Sequence, residues 1–101
     1  MILYNVTVNI DHSEHDAWLE WMQNKHIPDV MSTGLFTDKR LCRLIGDEDS
    51  GGVTYSVQYI CYSMEDFEEY EQKFAPALRD EYNAKFRDKY VAFRTLLEII
   101  D

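Results

Sequence analysis

His26 stands four residues after Met22 and seven after Leu19, so it carries the inward stripe of an amphipathic helix to its last turn, beside Pro28 and Asp29. An imidazole there could act as a base or hold a polar group of a ligand, with Asp29 orienting it. The plainer use of the same residue is to cap the last helical carbonyls. Trp21 on that helix and Tyr59 on a later strand would complete a site between helices and sheet, which makes Trp21, His26, Asp29 and Tyr59 the ligand-binding candidates. His26 is the one candidate for catalysis, with no reaction attached to it. Tyr55, Tyr59, Tyr70, Tyr82 and Tyr90, with Trp18 and Trp21, could line a pocket for a flat apolar molecule. Aromatic residues at strand and helix periods are more often core, and core is the default reading.

His12 and His15 lie in the run Asp-His-Ser-Glu-His-Asp, and two histidines three apart among carboxylates can in principle hold a divalent metal. A solvated helix start whose acids complement the helix dipole accounts for the same residues, so no metal is assigned. The sequence contains no Gly-rich phosphate loop, Gly-x-Ser-x-Gly elbow or Cys-x-x-Cys pair, and with them go the main supports for nucleotide hydrolysis, hydrolase chemistry and zinc ribbons. No cofactor is expected. Cys42 and Cys61 would sit about five residue pairs apart across a hairpin, roughly 17 Å, too far for a disulfide.

Nineteen acidic against ten basic side chains give a net charge of −9, which repels a phosphate backbone and an anionic membrane alike. Runs free of charge, such as 53–64, fall short of the roughly 20 apolar residues of a membrane helix. Asp11 interrupts the apolar run from Ile2, so no export signal is visible, and a reducing cytoplasm suits the two thiols. A length of 101 residues with 46% hydrophobic side chains predicts a single domain over 1–101 with one core.

The elements that must position these side chains follow from periodicity. Tyr4, Val6, Val8 and Ile10 alternate with Asn5, Thr7 and Asn9, and Val53, Tyr55, Val57, Tyr59 and Cys61 alternate with Thr54, Ser56, Gln58 and Ile60, so two central strands each have one apolar face. Between them, a capping box of Ser13 and Asp16 opens a helix carrying Trp18, Trp21 and Met22 inward. Pro28 should end it near Lys25 or His26, leaving a turn closed by Gly34. Leu35 to Ile45, with Lys39, Arg40 and Arg43, reads as an edge strand, and Gly46 to Gly52 as an acidic hairpin loop. Ser63 caps a second helix whose stripe runs from Phe67 through Phe74 and Tyr82 to Tyr90, broken at Pro76, and 91–100 form the last strand. The order predicts an α+β, ferredoxin-like βαββαβ fold: a four-stranded antiparallel sheet in the order 4-1-3-2 with two helices on one face. The other face, with Asn5, Thr7, Ser56 and Gln58 flanked by Leu3, Ile60 and Leu96, is left bare. Stacking aromatics that an RNA-binding sheet needs are missing from its centre.

Trp18-Leu-Glu-Trp-Met22, His26-Ile-Pro-Asp-Val30, Thr33-Gly-Leu-Phe36, Tyr55-x-Val-Gln-Tyr59, Phe74-Ala-Pro-x-Leu78 and Phe93-x-Thr-Leu-Leu97, in that order, resemble the bacterial domain of unknown function 4286 family across nearly the whole chain. More distantly, a helix ending in His-x-Pro followed by Gly and an aromatic is similar to the dimeric α+β barrel superfamily. That resemblance implies a homodimer paired through the bare faces, with Asn5, Thr7, Ser56 and Gln58 in the interface. The superfamily includes cofactor-free monooxygenases, haem-degrading enzymes, lactone isomerases and proteins with no known activity, so fold alone licenses no reaction. The second helix has no histidine to match the axial haem ligand of the haem-degrading branch. Three functions stay open: a small-molecule binding or regulatory protein, a cofactor-independent oxygenase or isomerase with His26 moving a proton, and a structural or assembly protein without ligand.

Overall fold

The computed structural model describes residues 1–46 and 51–101. The centre of the acidic hairpin loop, 47–50, lies outside the described residues. Strands β1 (Ile2–Asp11), β2 (Asp38–Arg43), β3 (Gly52–Cys61) and β4 (Tyr90–Glu98) form one antiparallel sheet in the order β2-β3-β1-β4, which is 4-1-3-2 read from the other edge. Alternation in β1 and β3 sets their register. Tyr4 faces Tyr59 and Val6 faces Val57 on the helix side, while Asn5 faces Gln58 and Thr7 faces Ser56 on the other. Gly52 stands opposite Asp11, where an added Cβ would lie 2.1 Å from the Ile10 carbonyl oxygen.

The first helical arm differs from its sequence reading at both ends. Its start is capped by Asp11, whose Oδ1 accepts from Ser13 N at 2.9 Å and Ser13 Oγ at 2.8 Å, because a 3₁₀ turn at His12–Glu14 precedes α1 (His15–Trp21). Ser13 is therefore a donor, and the Asp16 side chain is fully exposed. The arm also runs past Pro28. Met22–His26 make a π turn, with Ile27 N donating to the Met22 carbonyl, and α2 (Ile27–Met31) continues with Pro28 in its first turn. Proline breaks a helix by lacking its N–H and by pressing on the carbonyl four residues back; the wider turn just ahead of it gives that carbonyl room. Gly34, at φ 80°, closes the arm by donating to the Met31 carbonyl at 3.2 Å, the left-handed stop that glycine makes cheaply.

The second arm breaks where Pro76 predicts. Ser63 Oγ accepts from Asp66 N at 3.3 Å to open α3 (Met64–Lys73), and Phe74, at φ −120°, separates it from α4 (Ala75–Phe86). Tyr90 belongs to β4 rather than to the helical stripe. Both arms cover the same sheet face, with Trp18, Met22, Val30, Tyr70, Tyr82 and Phe86 buried against Tyr4, Val8, Ile10, Tyr55 and Val57. On β4, Leu97 stands opposite Leu3 on the open face and Leu96 opposite Tyr4 on the helix side; the sequence reading had placed Leu96 among the open-face residues. Val91, Phe93 and Leu97 are exposed there, at 72%, 63% and 50%. Among the described residues, no helix is long and apolar enough to cross a membrane.

Candidate functional site

Two aromatic clusters meet between helices and sheet. In one, Tyr4, Phe36, Tyr59 and Tyr70 pack with ring centroids 4.9–6.3 Å apart. In the other, the His26 ring stacks on Trp21 at 5.0 Å and 27° and meets Tyr82 edge-on at 5.2 Å. Members of both line one cavity of about 50 Å³, walled by Tyr4, Tyr59, Tyr70, His26, Met22, Leu78, Tyr82 and Tyr90. A site of this size holds a few waters or a small polar group, well short of the roughly 150 Å³ that admits benzene. Most of the cleft is thus filled by the chain's own aromatic side chains.

Its polar lining is unusual. His26 Nδ1 and the Tyr59 hydroxyl are both buried with no hydrogen-bond partner among the described residues. Buried polar atoms in native structures are nearly always satisfied, and both of these exceptions belong to residues that line the one cavity. Burial pushes the His26 imidazole down to about 4, against a weaker upward pull from the Asp29 charge and a downward push from Lys25. The ring is therefore neutral at neutral pH, with one donor and one acceptor nitrogen. Burial also pushes the Tyr59 phenol up, beyond the ordinary tyrosine range, so it stays protonated.

The four residues singled out as ligand-binding candidates divide. Trp21, His26 and Tyr59 are brought together around or against the cavity. Asp29 is turned to Lys25, at 2.5 Å across one helical turn, and reaches His26 only through its charge. His15 of the acidic run points inward, its Nε2 lying 2.6 Å from the Tyr55 hydroxyl. Among the described residues no three His, Cys, Asp or Glu side chains cluster in a way that could hold a metal.

Sequence reasoning missed two residues at this site. Arg79 Nη2 and Arg94 Nε both donate to the Tyr4 hydroxyl, at 3.3 and 3.1 Å, and all three residues line the cavity. Arg79 is further clamped by both carboxylate oxygens of Glu71. On a helix and an edge strand these arginines read as surface charges; only the β1–β4 register, with Val6 opposite Arg94, brings one of them to the cavity.

The bare sheet face carries a network of its own. Asn5 Nδ2 donates to Thr7 Oγ1 at 2.9 Å, Ser56 Oγ to Asn5 Oδ1 at 2.5 Å, and Gln58 Nε2 to Ser56 Oγ at 3.1 Å, so all four open-face residues belong to one hydrogen-bonded chain.

A four-stranded sheet with helices on one face and a free opposite face is the fold of the dimeric α+β barrel proteins, and solved members of that class match it over nearly their whole length. One is an ethyl tert-butyl ether degradation family protein of Bacillus halodurans, 16% identical, covering 99% of this chain and 100% of that one, with a TM-score of 0.69. Another is a mutant of MhuD solved with two manganese protoporphyrin IX bound per active site, also 16% identical, covering 99% and 95% of the two chains with a TM-score of 0.67. At such identity the likeness concerns the fold alone. No curated protein sequence matches the chain. The chain belongs to the family of the domain of unknown function DUF4286, whose model matches residues 1–100.

Proposed function

We propose that this protein binds a small molecule in the cleft between helices and sheet, and does so as a homodimer paired through its bare sheet faces. The observation that carries the binding reading is the pair of orphaned groups, His26 Nδ1 and the Tyr59 hydroxyl, on the wall of one cavity. A neutral imidazole and a protonated phenol suit a ligand hydroxyl, which both donates and accepts, while Trp21 fixes the imidazole by stacking on it. A base poised at about 4 is far from the value that makes proton transfer efficient at neutral pH, which weighs binding above oxygenase or isomerase chemistry at His26. The homodimer reading is supported by the apolar strip Val91, Phe93 and Leu97 beside a polar network whose members already satisfy one another.

A thermal-shift screen of phenols, quinols and aromatic acids tests it. At least one compound should raise the melting temperature of the wild type, since saturation at a hundred times Kd contributes about 2.7 kcal/mol, and should lose that effect on His26→Leu. Silence across the panel, or equal shifts in both proteins, would overturn it. Silence is what a purely structural protein with a self-filled cleft gives.

A further inference from the structure

The cavity beside His26 is not the only hollow on this face. A second, of about 310 Å³, is lined by Phe67, Glu71, Thr95 and Leu96 and shares Tyr4, Arg79 and Arg94 with the first. A molecule too long for the inner cavity therefore has Tyr4 and the two arginines alongside it as it extends outward. The charges at that wall do not balance. Arg79 is matched by Glu71, whereas Arg94 forms no ion pair among the described residues, which leaves one net positive charge there in a chain of net −9.

Arg94 is also held in a particular way. Its Nε is engaged by the Tyr4 hydroxyl, and its two Nη groups make no hydrogen bond among the described residues. A guanidinium anchored on its Nε with both outer nitrogens uncommitted presents the fork that takes a carboxylate through two parallel hydrogen bonds. Phe67 and Leu96 offer apolar surface in the same hollow.

Building on the binding reading above, we propose that the ligand is a carboxylic acid with an aromatic or apolar body, its carboxylate received by Arg94 where the two hollows meet, at the mouth of the inner cavity, and its body lying in the outer hollow along Phe67 and Leu96. Arg79 supplies a second positive charge, muted by Glu71. The carboxylate neutralises the surplus charge at the wall, and the body displaces water from Phe67 and Leu96.

The test uses 4-hydroxyphenylacetate and its amide, 4-hydroxyphenylacetamide, titrated into the full chain and followed by NMR shifts. The acid should bind more tightly than the amide, by roughly fivefold to tenfold for a partly exposed charge pair, and Arg94→Gln should abolish that preference, the acid losing more affinity than the amide. Glu71→Gln, which releases Arg79, should raise affinity for the acid severalfold, an increase that a merely structural role for these residues does not produce. Equal binding of acid and amide to wild type would overturn the carboxylate proposal and leave the binding reading standing. No binding of either compound, together with silence in the wider screen, would overturn both.

Discussion

The indole Nε1 of Trp18 donates to the Tyr82 hydroxyl at 2.5 Å, a buried bond that joins α1 to α4 across 64 positions of sequence. Trp18 is wholly inaccessible, so water cannot replace the phenol without opening the core. Tyr82→Phe keeps the ring packing and strands the indole N–H, and should cost about 1–3 kcal/mol in urea denaturation at pH 7. A loss below about 0.5 kcal/mol, the scatter of ordinary surface changes, would show that the bond contributes little.

Acidification should unfold the protein partly through His26. The unfolded chain takes up that proton as the pH falls through 6.5, the folded chain only near 4, so the contribution is whole above pH 6.5 and is lost toward pH 4. Between pH 7.5 and pH 5 the wild type should lose about 2 kcal/mol that His26→Gln does not lose. Parallel losses in the two proteins would remove His26 as the source.

Gly52→Ala probes the β1–β3 ladder. Its Cβ would meet the Ile10 carbonyl oxygen and carbon, backbone atoms that cannot swing away, so the strands must part locally. Overpacking of this kind should cost about 1–3 kcal/mol. An unchanged melting temperature would mean that the edge of the ladder is softer than its register suggests.

For the homodimer, light scattering at micromolar concentration should give twice the chain mass for the wild type. Phe93→Glu, which places a charge in the exposed apolar strip opposite Thr7, should give the mass of one chain with unchanged circular dichroism. A monomeric wild type would refute the pairing outright.

Local pattern made much of this fold legible. Strict alternation named β1 and β3, and the Pro76 break follows from one residue's missing N–H. Pro28 misled because a proline stops a regular helix and the π turn ahead of it is not regular; nothing in Met22 to His26 announces a hydrogen bond that reaches five residues back. The Ser13 reading failed for a related reason, since a 3₁₀ turn moved the capping oxygen back to Asp11. At the site, His26 was visible because helical spacing pointed it inward. Arg94 was not, because its importance comes from Tyr4, ninety positions away and on another strand.

The wide turn at Met22–His26 can also be viewed as an insertion. A π turn holds one residue more than the α turn it replaces, so removing a single residue, such as Gln23, would restore ordinary winding and leave the rest of the arm intact. The bond from Ile27 N to the Met22 carbonyl, which now spans five residues, would then span four, and Pro28 would press against the carbonyl four residues back. One surplus amino acid is thus what lets the arm run on through a proline, and the length of the segment 22–26, beside the identity of its side chains, decides how far the arm reaches before Gly34 stops it.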